Sequence, residues 1–219
     1  MASQIITIDG PAGAGKTTVS KLLSQKLGII YVDTGALYRG VAFEIKKQNI
    51  DWQNDTALDV FLKNIDLNFC IKNQSIVLMS CGYDISQYIR TLEISMLASS
   101  TSARPQIRNA MLDIQRNIAK EQDAVFEGRD MGTVVFPEAQ YKFYLFADLN
   151  VRAKRRYDEM DDKIKNLNQV ELAIQKRDNN DSQREIAPLK PAIDAIKIDS
   201  SFLSIEQVVN KILHILKKS

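Results

Sequence analysis

The chain has 219 residues, of which 45% are apolar and 26% charged, with a net charge of +2. That is enough apolar material for one large α/β domain and excludes a disordered chain. The charge is too small for a general nucleic-acid surface, and no apolar run approaches the ~20 residues of a membrane span.

Met1-Ala2-Ser3-Gln4 runs straight into the first strand, Ile5-Ile6-Thr7-Ile8, and leaves no room for a leader. Gly10-Pro11-Ala12-Gly13-Ala14-Gly15-Lys16-Thr17 follows, a complete G-x-x-x-x-G-K-[ST] phosphate loop, with Thr18 directly after it. Thr18 to Leu27 then carries Val19, Leu22, Leu23 and Leu27 at helical spacing. Strand, glycine loop and helix together aim backbone N–H groups and the positive end of a helix at a phosphate chain. The context makes a chance match improbable and points to a nucleoside triphosphate with Mg²⁺.

A second short strand, Ile29 to Val32, ends at Asp33-Thr34-Gly35, and a helix is predicted from about Ala36 to Gln48. Leu67–Ile71 and Ser75–Met79, separated by Lys72-Asn73-Gln74, read as a hairpin, and Cys81-Gly82-Tyr83 as a further turn. Residues 62–89 are accordingly predicted to form a small antiparallel insert. Helices are predicted over 90–103 and 105–121, the second opened by Pro105. Ala124 to Glu127 is a buried strand stopping at Gly128-Arg129-Asp130, and Tyr141 to Ala147 another strand. A polar helical stretch runs on to Asp178. Ala195 to Asp199 is the last strand, and Ser204 to Leu216 a closing helix with a Ser204–Gln207 capping box.

Alternating strands and helices imply a parallel sheet covered on both faces, within one domain. The two cysteines, Cys70 and Cys81, stand at no metal-ligand spacing and read as reduced thiols of a cytoplasmic protein. His214, in the last helix, reads as structural or exposed.

Functional groups of open parallel sheets gather beyond the carboxyl ends of the strands. This brings Arg39, Arg129 and Asp130 to the rim that holds Lys16. Arginine suits that rim because its planar fork grips phosphate oxygens bidentately. Arg152, Arg155 and Arg156 form a second cluster, read as lying at the start of a helix. The helix dipole disfavours positive charge there, so the cluster is predicted to be a lid, at about residues 150–165, closing on a triphosphate. Arg177, Asp178, Asp181 and Arg184 form a third cluster, suited to a ribose, a base and another phosphate.

Several strings carry a resemblance: Ile6 to Lys16, Asp33-Thr34-Gly35-Ala36-Leu37-Tyr38-Arg39, Gly128-Arg129-Asp130-Met131-Gly132-Thr133-Val134-Val135-Phe136-Pro137, Arg177 to Arg184, Ala187-Pro188-Leu189 and Ile198-Asp199-Ser200-Ser201. Taken in order, they span nearly the whole chain, and it resembles the bacterial cytidylate kinases of the nucleoside monophosphate kinase group. The phosphate loop is shared by many families; the Gly-Arg-Asp-Met-Gly-Thr string is far more specific. The resemblance implies transfer of the ATP γ-phosphoryl group to CMP or dCMP by a cytoplasmic monomer. It implies a parallel-sheet phosphate-loop core, with the insert as the monophosphate-binding region. Lys16, Arg155 and Arg156 would be catalytic. Gly10 to Thr18 would hold ATP, with Thr17 the Mg²⁺ ligand. Thr34 would be among the substrate-binding residues, with Arg39, Arg129 and Arg184 holding the monophosphate, Ser99, Arg108 and Asp130 at the cytosine, and Arg177 and Asp181 at the ribose. A carboxylate at the base site suits cytosine, whose exocyclic amine is a donor where uracil has an acceptor. Asp33 and Asp130 are the candidates for a second acid near the metal. The competing readings are a kinase for another small acceptor, such as a different nucleoside monophosphate or shikimate, and a nucleotide-dependent switch, against which stands the lack of an Asn-Lys-x-Asp string.

Overall fold

The computed structural model describes residues 4–72, 75–160 and 166–217. Strand β1 (Ile5–Asp9) lies at the centre of a five-stranded sheet ordered β2-β6-β1-β7-β8. Its partners are β2 (Ile30–Asp33), β6 (Ala124–Gly128), β7 (Tyr141–Phe146) and β8 (Ile196–Asp199), and every pairing is parallel. Being covered on both faces, β1 and β6 are nearly continuous apolar runs. Register sets the carboxyl ends level: Asp9 pairs with Gly128 and with Tyr144, Asp33 with Glu127, and Phe146 with Asp199.

The helices are α1 (Lys16–Leu27), α2 (Thr34–Lys47), α3 (Asp55–Asn64), α4 (Leu92–Thr101), α5 (Pro105–Glu121), α6 (Leu149–Asp158), α7 (Leu167–Gln183) and α8 (Ile205–Leu216). A second sheet is antiparallel: β3 (Leu67–Lys72), β4 (Ser75–Ser80) and β5 (Tyr83–Asp84). Cys81 and Gly82 join β4 to β5 with φ of 48° and 80°, the paired left-handed conformation of a tight hairpin turn. The turn predicted between β3 and β4 falls on 73–74, outside the described residues.

Three differences from the sequence reading have physical causes. Helix α3 was left unassigned, although Asn54 accepts from the Ala57 N–H as its cap and Leu58 and Phe61 bury one face. The polar stretch after β7 is two helices, α6 and α7, the second started by an Asn166–Gln169 capping box. The string after Gly128-Arg129-Asp130 is a π-helical turn, Met131–Val135. It is set from a distance, because the buried Asp9 carboxylate accepts from the N–H groups of Met131 (2.9 Å) and Gly132 (2.8 Å).

The apolar contacts fall into bodies. One packs α2, α3, the antiparallel sheet, α4 and α5 around Leu37, Leu58, Leu78 and Ile107. Another packs β1, β7, β8, α1 and α8 around Ile8, Phe143 and Val209. Ala12, Ala153, Val170 and Ile174 tie the phosphate loop to α6 and α7. The cleft lies where these bodies meet.

Candidate active site

A cleft of about 1120 Å³ runs along the carboxyl ends of β1, β2 and β6. It exceeds the ~300–1,000 Å³ of an ordinary small-molecule pocket, as a site for two ligands should. The phosphate loop forms one end. Gly10 (φ 149°) passes so close to β7 that a Cβ there would sit 1.9 Å from the Leu145 carbonyl oxygen, and at Gly13 (φ 76°) a Cβ would lie 2.9 Å from the Arg152 carbonyl oxygen. Both positions need glycine for space and for backbone. Lys16 is 6% exposed and its Nζ donates to the Pro11 carbonyl (2.8 Å), lying across the loop. Burial, then the neighbouring Arg129, lowers its ammonium to about 7.

Thr17 Oγ1 donates to Glu127 Oε1 (2.8 Å), and the Tyr31 hydroxyl donates to Glu127 Oε2 (3.0 Å). Burial, then the Asp33 carboxylate, raises the Glu127 carboxyl. Glu127, which the sequence reading did not consider, is the acid bonded to the Thr17 hydroxyl. Its signal was the apolar run Ala124-Val125-Phe126 ending in an acid beside the loop strand. The two acids considered in the sequence reading, Asp33 and Asp130, have partners of their own. Asp33 accepts from the Ala36 N–H as the cap of α2 and from Arg39 (2.7 Å), with Arg90 at 3.8 Å. Burial pushes its carboxyl up, but these arginines outweigh burial and hold it below the usual range. Asp130 pairs with Arg108.

At the other end stand two buried carboxylates among arginines. Asp181 accepts from Ser99 Oγ (2.9 Å) and Arg129 Nε (3.1 Å), with Arg177 at 4.0 Å and Arg184 at 3.9 Å. Burial raises its carboxyl, and Arg129, Arg177 and Arg184 more than reverse that. Asp130 is bonded to Arg108 and faces Arg184 at 3.7 Å, and Arg108 lies over the Tyr38 ring at 5.3 Å. Thr34 Oγ1 donates to the Glu127 carbonyl (2.7 Å). Three guanidinium nitrogens, Arg39 Nε, Arg177 Nε and Arg184 Nη2, are buried without a hydrogen-bond acceptor. Burial, then Arg129, brings Arg177 down to about 10. Crowded, under-satisfied positive charge of this kind is relieved by an anion.

The structure thus brings the predicted residues Thr34, Arg39, Ser99, Arg108, Arg129, Asp130, Arg177, Asp181 and Arg184 to the cleft that holds Lys16, Thr17 and Thr18. Of the phosphate loop, Ala12, Gly13 and Gly15 line it, whereas Gly10, Pro11 and Ala14 do not, Ala14 being packed in the core beneath.

The basic cluster of α6 needs correction. Arg155 and Arg156 lie in the last turn, where the helix dipole favours them, so the argument from a disfavoured first turn fails. Arg152 is buried behind the loop, donating to the carbonyls of Ala147 (2.8 Å) and Ala12 (2.9 Å) and pairing with Asp178. Asp178 in turn accepts from the Ala12 N–H (3.0 Å). Arg155 and Arg156 do line the cleft. Arg155 bonds to Ser200, and the half-exposed Arg156 pairs with Glu159 (3.2 Å). Residues 161–165 of the predicted lid lie outside the described residues.

The cytidylate kinase family model matches residues 6–218. Cytidylate kinase of Thermosipho melanesiensis is 46% identical over 97% of this chain and 96% of its own length. That of Fervidobacterium nodosum is 45% identical over 97% and 96%, and cytidylate kinase 1 of Haemophilus influenzae 41% identical over 98% and 94%. Among solved structures, the fold is similar to shikimate kinase of Bacteroides thetaiotaomicron, with TM-score 0.52, 12% identity and 98% of each chain covered. It is also similar to an uncharacterized protein of Eubacterium ventriosum, with TM-score 0.55, 13% identity and 99% of each chain covered.

Proposed function

The chain belongs to the cytidylate kinase family, and from that premise we propose that its cleft moves the terminal phosphoryl group of ATP onto CMP or dCMP, giving ADP and CDP or dCDP. The observation that carries this reading is one cleft joining a complete phosphate loop to a second set of half-buried and buried arginines interleaved with two buried carboxylates. A single nucleotide would leave one of those ends without work.

Phosphoryl transfer asks the protein mostly for alignment and charge neutralisation. Lys16, now turned onto the Pro11 carbonyl, is placed to swing to the β- and γ-phosphates of ATP. Arg39, Arg129 and Arg184 hold the monophosphate, the unsatisfied Arg39 Nε and Arg184 Nη2 matching its oxygens. Asp130 accepts the cytosine amine while Arg108 and Ser99 meet its acceptors. Arg177 and Asp181 hold the sugar. Arg155 and Arg156 close from α6 over the transferring group as a lid, and the antiparallel sheet is part of the monophosphate-binding side.

Magnesium fits the donors present. The Thr17 hydroxyl donates a hydrogen bond to Glu127, which leaves its oxygen lone pairs available to a cation. Among the described residues there is no cluster of three or more His, Cys, Asp or Glu that could cage a metal. That suits an ion held by substrate phosphates and one or two protein oxygens. Thr17, supported by Glu127, would hold it, and it would supply positive charge against the ATP phosphates. Use of ATP and the exposed cysteines suit the cytoplasm. Among the described residues no helix is long and apolar enough to cross a membrane.

The test is product analysis with ATP, Mg²⁺ and single acceptors. CMP should give CDP and ADP in equal amounts, and shikimate neither. ADP released at the same rate without any acceptor would replace the kinase reading with that of an ATP-driven switch.

A further inference from the structure

We propose that Tyr31 is a positioning residue for magnesium, acting through Glu127 on the Thr17 hydroxyl. The proposal rests on the reading of Thr17 and Glu127 given above, and deepens it. Tyr31 and Asp33 share one face of β2, and Asp33 is in register with Glu127 on β6. Side chains alternate along a strand, so Tyr31, Asp33 and Glu127 face the same way, and the offset between Tyr31 and Glu127 is two residues, about 6.7 Å. A phenol spans that distance, and its hydroxyl meets Glu127 Oε2 at 3.0 Å. Oε1 is left for the Thr17 hydroxyl, at 2.8 Å.

The consequence is directional. Accepting from both hydroxyls, the ionised Glu127 carboxylate holds the Thr17 proton on its own side and turns the oxygen lone pairs to the cleft. Without the phenol, Glu127 has one hydroxyl partner in place of two and is free to rotate about its terminal torsion, and the Thr17 proton is free to follow. The ring itself is held independently. Lys21, one helical turn beyond Thr17 on α1, places its Nζ 5.7 Å from the Tyr31 ring centroid. Removing the hydroxyl alone therefore leaves the ring in place.

The experiment is a calorimetric Mg²⁺ titration of the full chain saturated with a non-hydrolysable ATP analogue, alongside CMP binding without metal and thermal melting. Tyr31→Phe should raise the half-saturating Mg²⁺ concentration about tenfold, the cost of one hydrogen bond to a charged group, and leave CMP affinity within about twofold. Glu127→Gln should weaken Mg²⁺ at least as much, and Tyr31→Phe with Glu127→Gln no further, because Tyr31 works through that carboxylate. Unchanged Mg²⁺ affinity in Tyr31→Phe, beside a weakened Glu127→Gln, overturns the role of Tyr31 alone. Unchanged affinity in Glu127→Gln overturns the magnesium reading beneath it. Equal losses of CMP and Mg²⁺ affinity in Tyr31→Phe would show a structural residue and also overturn the proposal.

Discussion

At Lys16, burial and like charge act in the same direction. An ammonium brought down to about 7 is largely neutral at pH 8 until an anion arrives. The triphosphate supplies that anion, so binding of the ATP analogue at about pH 8 should take up a proton. The uptake should vanish at about pH 5.5, where Lys16 is charged in both states. Calorimetry in two buffers of different ionisation enthalpy reads this directly; equal heats at pH 8 would contradict it. The sign for stability follows. The unfolded lysine, near its ordinary value of 10.5, binds more protons than the folded one between about 7 and 10.5. Its contribution to stability therefore rises with pH through that window. Lys16→Ala removes the charge the β- and γ-phosphates meet, and turnover should fall by about 10²-fold or more with the fold intact. Near-normal kcat in a folded variant would remove Lys16 from the mechanism.

At the scale of elements, α6 divides its arginines between two tasks that the sequence alone had merged. Arg152 braces the loop from behind through two carbonyls and Asp178, so Arg152→Ala should lower the melting temperature together with activity, a loss of about 3 kcal/mol for a broken buried pair. The exposed pair Arg156–Glu159 contributes little to stability. Neutralising Arg155 and Arg156 together should lower kcat more than it weakens CMP binding, since a lid acts mostly in the transition state. Equal losses in kcat and CMP affinity would return both residues to substrate binding. The reason the sequence misled here is plain. The interruption between α6 and α7 falls in hydrophilic chain, where no apolar period marks a helix end. The phosphate loop and α1 were legible because glycine spacing and apolar period coincide there, and Ser204–Gln207 marked the start of α8 by the same local logic. Glu127 was less legible, since its role depends on a pairing with β1 and β2 that brings together residues far apart in sequence.

For the molecule as a whole, the boundaries of the apolar bodies matter more than the boundary of the insert. The sequence set residues 62–89 apart as an antiparallel unit, and within those bounds β3, β4 and β5 form an antiparallel sheet from Leu67 to Asp84. Yet its inner face is shared with α2, where a Cβ on Gly40 would meet Leu78 Cδ2 at 2.5 Å, and the buried Glu44 of α2 accepts from Ser80 (2.8 Å). The sheet should therefore move with α2, α4 and α5 as one body, because close-packed interfaces shift as units rather than deform. Hydrogen exchange with ATP analogue and CMP together should show new protection along α6 and at the cleft-facing end of α4, with the three insert strands changing little internally. Identical exchange of α6 with and without ligands would make it an ordinary charged helix.

The central claim is that the carboxylate and arginine end of the cleft reads cytosine. Its most direct test is the ratio of kcat/KM for CMP to that for UMP and AMP, at fixed ATP and Mg²⁺. A site built on buried hydrogen bonds leaves Asp130 facing a carbonyl when uracil replaces cytosine, so the ratio should reach about 10²-fold or more, with dCMP on the side of CMP. Comparable kcat/KM for CMP, UMP and AMP would contradict the account.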